Sequence, residues 1–273
     1  MSLKGKSVLI TGAGRGIGKR LAMGFAAEGA AVGLLARSQA EIDMAKLEIE
    51  QAGGTAMRLQ ADVLDPAGLA YAVERLHARF GHLDILIAAA AIQGPIGPFL
   101  TCKPKAWNET VETNLIGVAN SCRVALPPMI EKRSGKIILI AGGGSADSRP
   151  NFTAYAASKS ALVRFGETLA DEVRDHNVQV NTIAPGSAYS TMTDEILQAG
   201  EERAGRREIE DAQKTRITGG MPAERQIALA LFLASERSNH ISGKLIHVND
   251  DWKRFEQDNM KAELYTLRRV QKV

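Results

Sequence analysis

The chain has 273 residues, 45% hydrophobic and 24% charged, ordinary values for a folded globular protein that exclude a disordered or fibrous one. Lys and Arg outnumber Asp and Glu only 34 to 31, which excludes the broad basic field of a nucleic-acid binder and leaves a small molecule as the expected partner. The longest apolar tract, 21–36, is broken by Glu28 and Gly29, so a membrane span of roughly 18 uncharged residues is not expected.

Residues 1–6 are too short and polar for a secretion signal, and Cys102 and Cys122 lack metal or redox spacing. The expectation is a cytoplasmic, disulfide-free protein without a structural metal, folded as one domain over 1–273.

In chain order, seven apolar runs predict strands: SVLIT (7–11), AVGLLA (31–36), TAMRLQA (55–61), DILIAAA (84–90), KIILIA (136–141), VQVNTIA (178–184) and KLIHVN (244–249). They are near-continuous, not alternating, as in strands buried on both faces of a parallel sheet. Amphipathic segments lie between them, such as EIDMAKLEIEQAGG with Ile42, Ala45, Leu47 and Ile49. This alternation predicts α/β architecture: a doubly wound, mainly parallel seven-stranded sheet with helices on both faces.

The first strand runs into TGAGRGIGKR, where Gly12, Gly16 and Gly18 precede a helix beginning near Ile17. Glycines there let the backbone turn tightly and approach a pyrophosphate held at the helix N-terminus. After the fifth strand comes AGGGSADSRPNFTAYAASK, with Tyr155 and Lys159 four residues apart on one helical face. A free tyrosine titrates near pH 10, and an ammonium about 6 Å away lowers that value by about two units at an effective dielectric near 20. The pair therefore reads as a general acid/base and its electrostatic helper.

TGxxxGxG followed by YxxxK resembles the classical short-chain dehydrogenase/reductase family, over residues 4–248. The resemblance implies a Rossmann-type fold and a nicotinamide dinucleotide held by Gly12, Arg15, Gly16, Ile17, Gly18, Asp62, Val63, Ala89, Ala90, Ala91, Pro185, Gly186 and Ser190. Where an acidic residue would select NAD, the second strand ends LLAR with Ala36 and then Arg37. Arg37 and Arg15 match a 2′-phosphate, so NADP(H) is expected over NAD(H); the alternative is that Arg37 only ends a strand at the surface. Tyr155 would exchange the proton of an alcohol or carbonyl substrate, Lys159 would hold the nicotinamide ribose and lower the phenol's pKa, and Asn114 would support the lysine. Asn114 reads equally well as a buried asparagine bonding backbone.

Two departures stand out. The family serine thirteen residues before the tyrosine is replaced by Gly142, leaving Ser145 as the nearest hydroxyl, a backbone amide of the glycine run or a water to take its place, and the family NNAG is replaced by Ala88–Ala91. They leave open a second reading, a non-catalytic NADP-binding or scaffold protein on the same fold.

Residues 187–221 read as a substrate lid, with Tyr189, Met192 and Ile196 its apolar members. The extension 249–273 carries Trp252, Phe255, Leu264, Tyr265 and Leu267, which must be covered, and the basic residues Arg268, Arg269 and Lys272. A homodimer or homotetramer is expected from the resemblance.

Overall fold

The computed structural model of the chain describes residues 2–257, 260, 261 and 263–268; Arg269 and Lys272 lie outside them. The seven apolar runs form β1 (Ser7–Thr11), β2 (Ala31–Ala36), β3 (Thr55–Gln60), β4 (Ile85–Ala88), β5 (Gly135–Ile140), β6 (Val178–Ala184) and β7 (Leu245–His247). Between them lie α1 (Gly16–Ala27), α2 (Gln39–Gln51), α3 (Pro66–Phe80), α4 (Pro104–Val111), α5 (Gly117–Lys132), α6 (Thr153–Glu172), α7 (Thr191–Ala204), α8 (Arg206–Thr218) and α9 (Ala223–Ala234). All pairings are parallel, in the order β3-β2-β1-β4-β5-β6-β7. The winding reverses between β1 and β4, and a crevice opens at the C-terminal ends of those strands.

Successive side chains of one strand enter different cores, as the pleat requires. Val8 and Ile10 pack with Leu21 and Phe25 of α1, Ile42 of α2 and Phe232 of α9, while Leu9 packs with Leu76 of α3, Met129 of α5 and Leu162 of α6. Burial on both faces is why the central strands read as unbroken apolar runs. β3 departs from that expectation: it lies at the sheet edge, and Thr55, Arg58 and Gln60 are exposed while Ala56 and Leu59 are buried.

Helix α2 corrects one residue. Ile42, Ala45 and Ile49 are buried, but Leu47 is exposed, because it lies off the face that positions 42, 45 and 49 share. Cys122 is buried, and its desolvated thiol is pushed up to about 12, which makes it a packing residue.

The 187–221 segment forms α7 and α8, packed on each other and joined at Gly205 with φ +92°. It is fastened to the loop after β4 by Arg203, whose Nε and Nη2 donate to the Ile96 carbonyl at 3.1 and 2.7 Å. The described residues of the C-terminal extension dock on their own chain. Trp252 lies 5.2 Å from Phe232, Phe255 is buried 4.9 Å from Tyr265, and the Leu245 amide donates to the Tyr265 carbonyl at 2.7 Å. Leu264 stays exposed, and Leu267 is half-buried.

Among the described residues, no helix is long and apolar enough to cross a membrane, and no cluster of His, Cys, Asp and Glu could hold a metal.

Candidate active site

The crevice is lined by the glycine loop (Gly12, Gly14, Arg15, Gly16, Ile17, Gly18), the end of β2 with Arg37, and Asp62 and Val63 after β3. Ala89, Ala90, Ala91 and Ile92 after β4, Tyr155 and Lys159 on α6, and Ser190 and Met192 at the start of α7 complete it. Side chains from Arg15 to Met192 thus meet in one cleft.

Close approach, not flexibility alone, requires glycine at two of these positions. A Cβ on Gly12 would stand 2.8 Å from the backbone N and Cα of Ala90, so the loop can lie against the alanine run only without one. A Cβ on Gly18 would come under 3.0 Å from the carbonyl of Gly12. Helix α1 then begins with Arg15 as an N-cap that makes no side-chain capping bond and with no acid in its first turn. Its first amides and dipole end are left for an anion, which fits the pyrophosphate of a dinucleotide.

At the β2 end, Arg15 pairs with Glu41 and Arg37 with Asp62, both at 3.8 Å, with the arginine side chains 52% and 65% exposed. Pairs this long and wet contribute little and are readily exchanged for a phosphate. Glu41, which the linear spacing did not single out, also lines the cleft; its place three residues past the Ser38 N-cap, whose Oγ accepts from the Glu41 amide at 3.3 Å, is the signal that could have found it. Asp62 also accepts from the Leu64 amide at 2.9 Å, so the turn-forming role and the cleft-lining role coincide.

Tyr155 and Lys159 come together as their spacing predicts, with Lys159 Nζ 5.7 Å from the centre of the phenol ring and donating to the Ile140 carbonyl at 2.8 Å. The expected lowering of the phenol's pKa is not found in the free protein. Burial pushes Tyr155 above its ordinary value, with Arg149 pulling the other way, and burial also brings Lys159 down to about 8. Desolvation disfavours both charged forms, and at the phenol it outweighs the pull of Arg149.

Asn114 is fully buried in a π-helical turn between α4 and α5 (Glu112–Ile116). Its Oδ1 accepts from the Ile92 amide at 2.8 Å, and its Nδ2 donates to the Ile92 carbonyl at 3.0 Å and Ser158 Oγ at 3.1 Å. These bonds pin the chain just after the alanine run. Thr11 Oγ1 accepts from the Ala90 amide at 3.3 Å and secures the same run from β1.

The replaced serine has a spatial explanation. A Cβ built on Gly142 would fall under 3.0 Å from Tyr155 Oη and 3.0 Å from Cε1 and Cζ, so the tyrosine hydroxyl occupies the room a serine would need. Ser145 is buried away from the cleft lining, and its carbonyl, like that of Gly144, accepts from Ser160 Oγ at 3.0 Å. Pro185 and Gly186 (φ +70°) turn the chain out of β6 without lining the cleft. Met192 lines the cleft, Ile196 packs with Tyr155, Phe152 and Ile96, and Tyr189 is exposed with its hydroxyl donating to Asp194 Oδ1 at 3.1 Å.

The comparisons with known proteins agree with this geometry. A family model described as short chain dehydrogenase matches residues 6–201. The chain is 34% identical over 255 residues to the 3-oxoacyl-[acyl-carrier-protein] reductase FabG of Salmonella typhimurium, covering 91% of this chain and 98% of that protein. Among solved structures, a 3-ketoacyl-ACP reductase from Sinorhizobium meliloti 1021 is 35% identical with a TM-score of 0.75, covering 88% of this chain and 96% of the other. A gluconate 5-dehydrogenase from Burkholderia cenocepacia, in complex with NADP and tartrate, is 28% identical with a TM-score of 0.79, covering 90% and 94%.

Proposed function

The chain belongs to the short chain dehydrogenase family, and from that premise we propose that it is an NADP(H)-dependent oxidoreductase acting between an alcohol and its carbonyl compound. The observation that carries this reading is the meeting of Tyr155 and Lys159 with the uncapped start of α1 and two exchangeable arginines in one cleft.

When bound, the nicotinamide supplies or accepts the hydride. The protein's own part is to hold the proton at Tyr155 Oη, to keep a cation beside it on Lys159, and to exclude water with Ile96, Phe152 and Ile196 around the phenol. Arg15 and Arg37 favour NADP(H), since a guanidinium fork matches a 2′-phosphate and no acid stands at Ala36 to take a 2′-hydroxyl. Asn114 supports the site through Ile92 and Ser158, holding α5, α6 and the loop after β4 in register.

The names of the relatives direct the first substrates to 3-oxoacyl thioesters, with oxo sugar acids next. NADPH oxidation with that panel tests the proposal: turnover that Tyr155→Phe abolishes is expected. NADPH binding without turnover on any carbonyl or alcohol favours the second reading, a non-catalytic dinucleotide-binding or scaffold protein, for which Gly142 and the alanine run speak.

A further inference from the structure

Three side chains shape the glycine run 142–144: Tyr155, Arg149 and Ala156, whose Cβ lies 2.8 Å from one built on Gly144. Tyr155 Oη fills the space beside Gly142, and Arg149 runs along the other two: a Cβ on Gly143 would lie 3.7 Å from Arg149 Cδ, Nε and Cζ, and one on Gly144 3.1 Å from Arg149 Cβ. The guanidinium then stands 4.0 Å from the centre of the Phe152 ring and 5.4 Å from that of Tyr155. Its Nε and Nη2 donate to Glu208 Oε1 and Oε2 at 2.9 and 2.7 Å. Glu208 belongs to α8, in the 187–221 segment. Unlike the wet pairs at the other end of the cleft, this fork-to-fork pair is shielded, the two side chains being 14% and 24% exposed, and it holds the arginine in one geometry.

We propose that Arg149 is a positioning residue for Tyr155, keeping a positive charge beside the phenol in the site whose serine is replaced by Gly142, and that Glu208 ties the seating of α8 to that charge. The inference rests on the reading of Tyr155 as the acid/base group.

The charged groups around the phenol come from each neighbouring element. They are Lys159 one turn along α6, Arg149 from the preceding loop and Glu208 from α8 behind Arg149, while Arg203 of α7 is held at the Ile96 carbonyl. Burial raises the phenol's pKa and Arg149 is the cation that opposes it. Phe152 and the glycine run 142–144 flank the guanidinium, and Glu208 fixes its orientation. Glu208 both orients Arg149 and offsets part of its charge, so the two partners of one ion pair act on Tyr155 with opposite signs.

That opposition separates the proposal from a purely structural staple. The full chain, with carbon-13 at tyrosine Cζ, is titrated by NMR; it has four tyrosines, and the Tyr155 signal is the one missing in Tyr155→Phe. Arg149→Met is expected to raise the Tyr155 titration by about one pH unit and Glu208→Gln to lower it by about half a unit. Arg149→Lys, which keeps the charge without the fork, is expected to fall between the parent and Arg149→Met. If Arg149→Met does not fold, Glu208→Gln decides alone, a downward shift supporting the proposal and an unchanged or upward one overturning it. Both variants moving the phenol in the same direction, or neither moving it, also overturns the proposal. The titration needs no turnover, so an inactive protein would count against the proposed oxidoreductase and leave this result readable.

Discussion

Restoring the serine that the resemblance leads one to expect should harm the protein. In Gly142→Ser the new Cβ falls under 3.0 Å from Tyr155 Oη and 3.0 Å from Cε1 and Cζ, distances at which something must shift. Tyr155 is itself 7% exposed and packed with Phe152, Ile96 and Ile196, so its ring can yield only towards the cleft it lines, out of its present place. Overpacking of this kind costs about 1–3 kcal/mol, which for a chain of this size lowers the melting temperature by about 2–4 °C per kcal/mol. A regained hydroxyl could add about 10²–10³ in rate at an oxyanion, but about an ångström of misplacement at the acid/base group takes about 10² away. No net gain in kcat/KM is therefore expected. In a Tyr155→Phe background the hydroxyl is gone and only the 3.0 Å ring contacts remain, so the stability penalty of Gly142→Ser should shrink. Denaturant unfolding of the four variants measures that coupling. A Gly142→Ser protein as stable as its parent and about 10²-fold faster would refute the reasoning, because it would mean the tyrosine moves freely.

Three other outcomes follow from the same geometry. Arg37→Ala and Arg15→Ala are each expected to weaken NADPH binding about 10- to 100-fold, from the loss of charge-assisted bonds, while leaving NADH binding within about two-fold; fluorescence titration with both cofactors checks this. Gly18→Ala should abolish binding of either dinucleotide, since its Cβ meets the Gly12 carbonyl, a backbone atom that cannot swing aside, and the same titration reads it. Lys136, buried with Nζ donating to Asn239 Oδ1 at 2.7 Å, is brought down to about 7, while in the unfolded chain it holds its proton to about 10.5. Between those values the unfolded state binds more protons, so stability rises with pH by up to about 1.4 kcal/mol per unit, and Lys159 adds its share only above about 8. Thermal melts of Lys136→Gln should lose the rise between pH 7 and 8 and keep only the Lys159 share of the rise above it.

Much of the fold was legible because its signals are local. β1, β2 and β6 begin and end where their predicted runs do, since burial on both faces excludes charged side chains from them and the polar ones of β6, such as Asn181, find backbone partners. The Tyr155–Lys159 pair and the glycine loop were legible for the same reason: helical spacing and a turn's need for glycine are short-range. What the sequence could not convey depends on the third dimension. The edge position of β3 and the outward face of Leu47 follow from which neighbours are present, not from the runs themselves. The direction of the phenol's shift depends on how much water the packed protein excludes, and spacing carries no measure of that.

Gly142 is the clearest case. The chain lacks the family serine, and only in the fold does Tyr155 Oη take its place while Arg149, six residues before the tyrosine, comes from the same loop to meet Glu208 from another helix.

The central claim is hydride transfer with Tyr155 as proton donor, and isotope transfer tests it most directly. NADPH carrying deuterium on one face of its C4 is mixed with the protein and a reducible ketone from the panel, and the alcohol formed is examined for label. The account predicts that one of the two labelled forms passes its deuterium to the alcohol carbon and the other retains it, and that Tyr155→Phe yields no labelled alcohol while still binding NADPH. Label transfer by Tyr155→Phe at the parent's rate would contradict it.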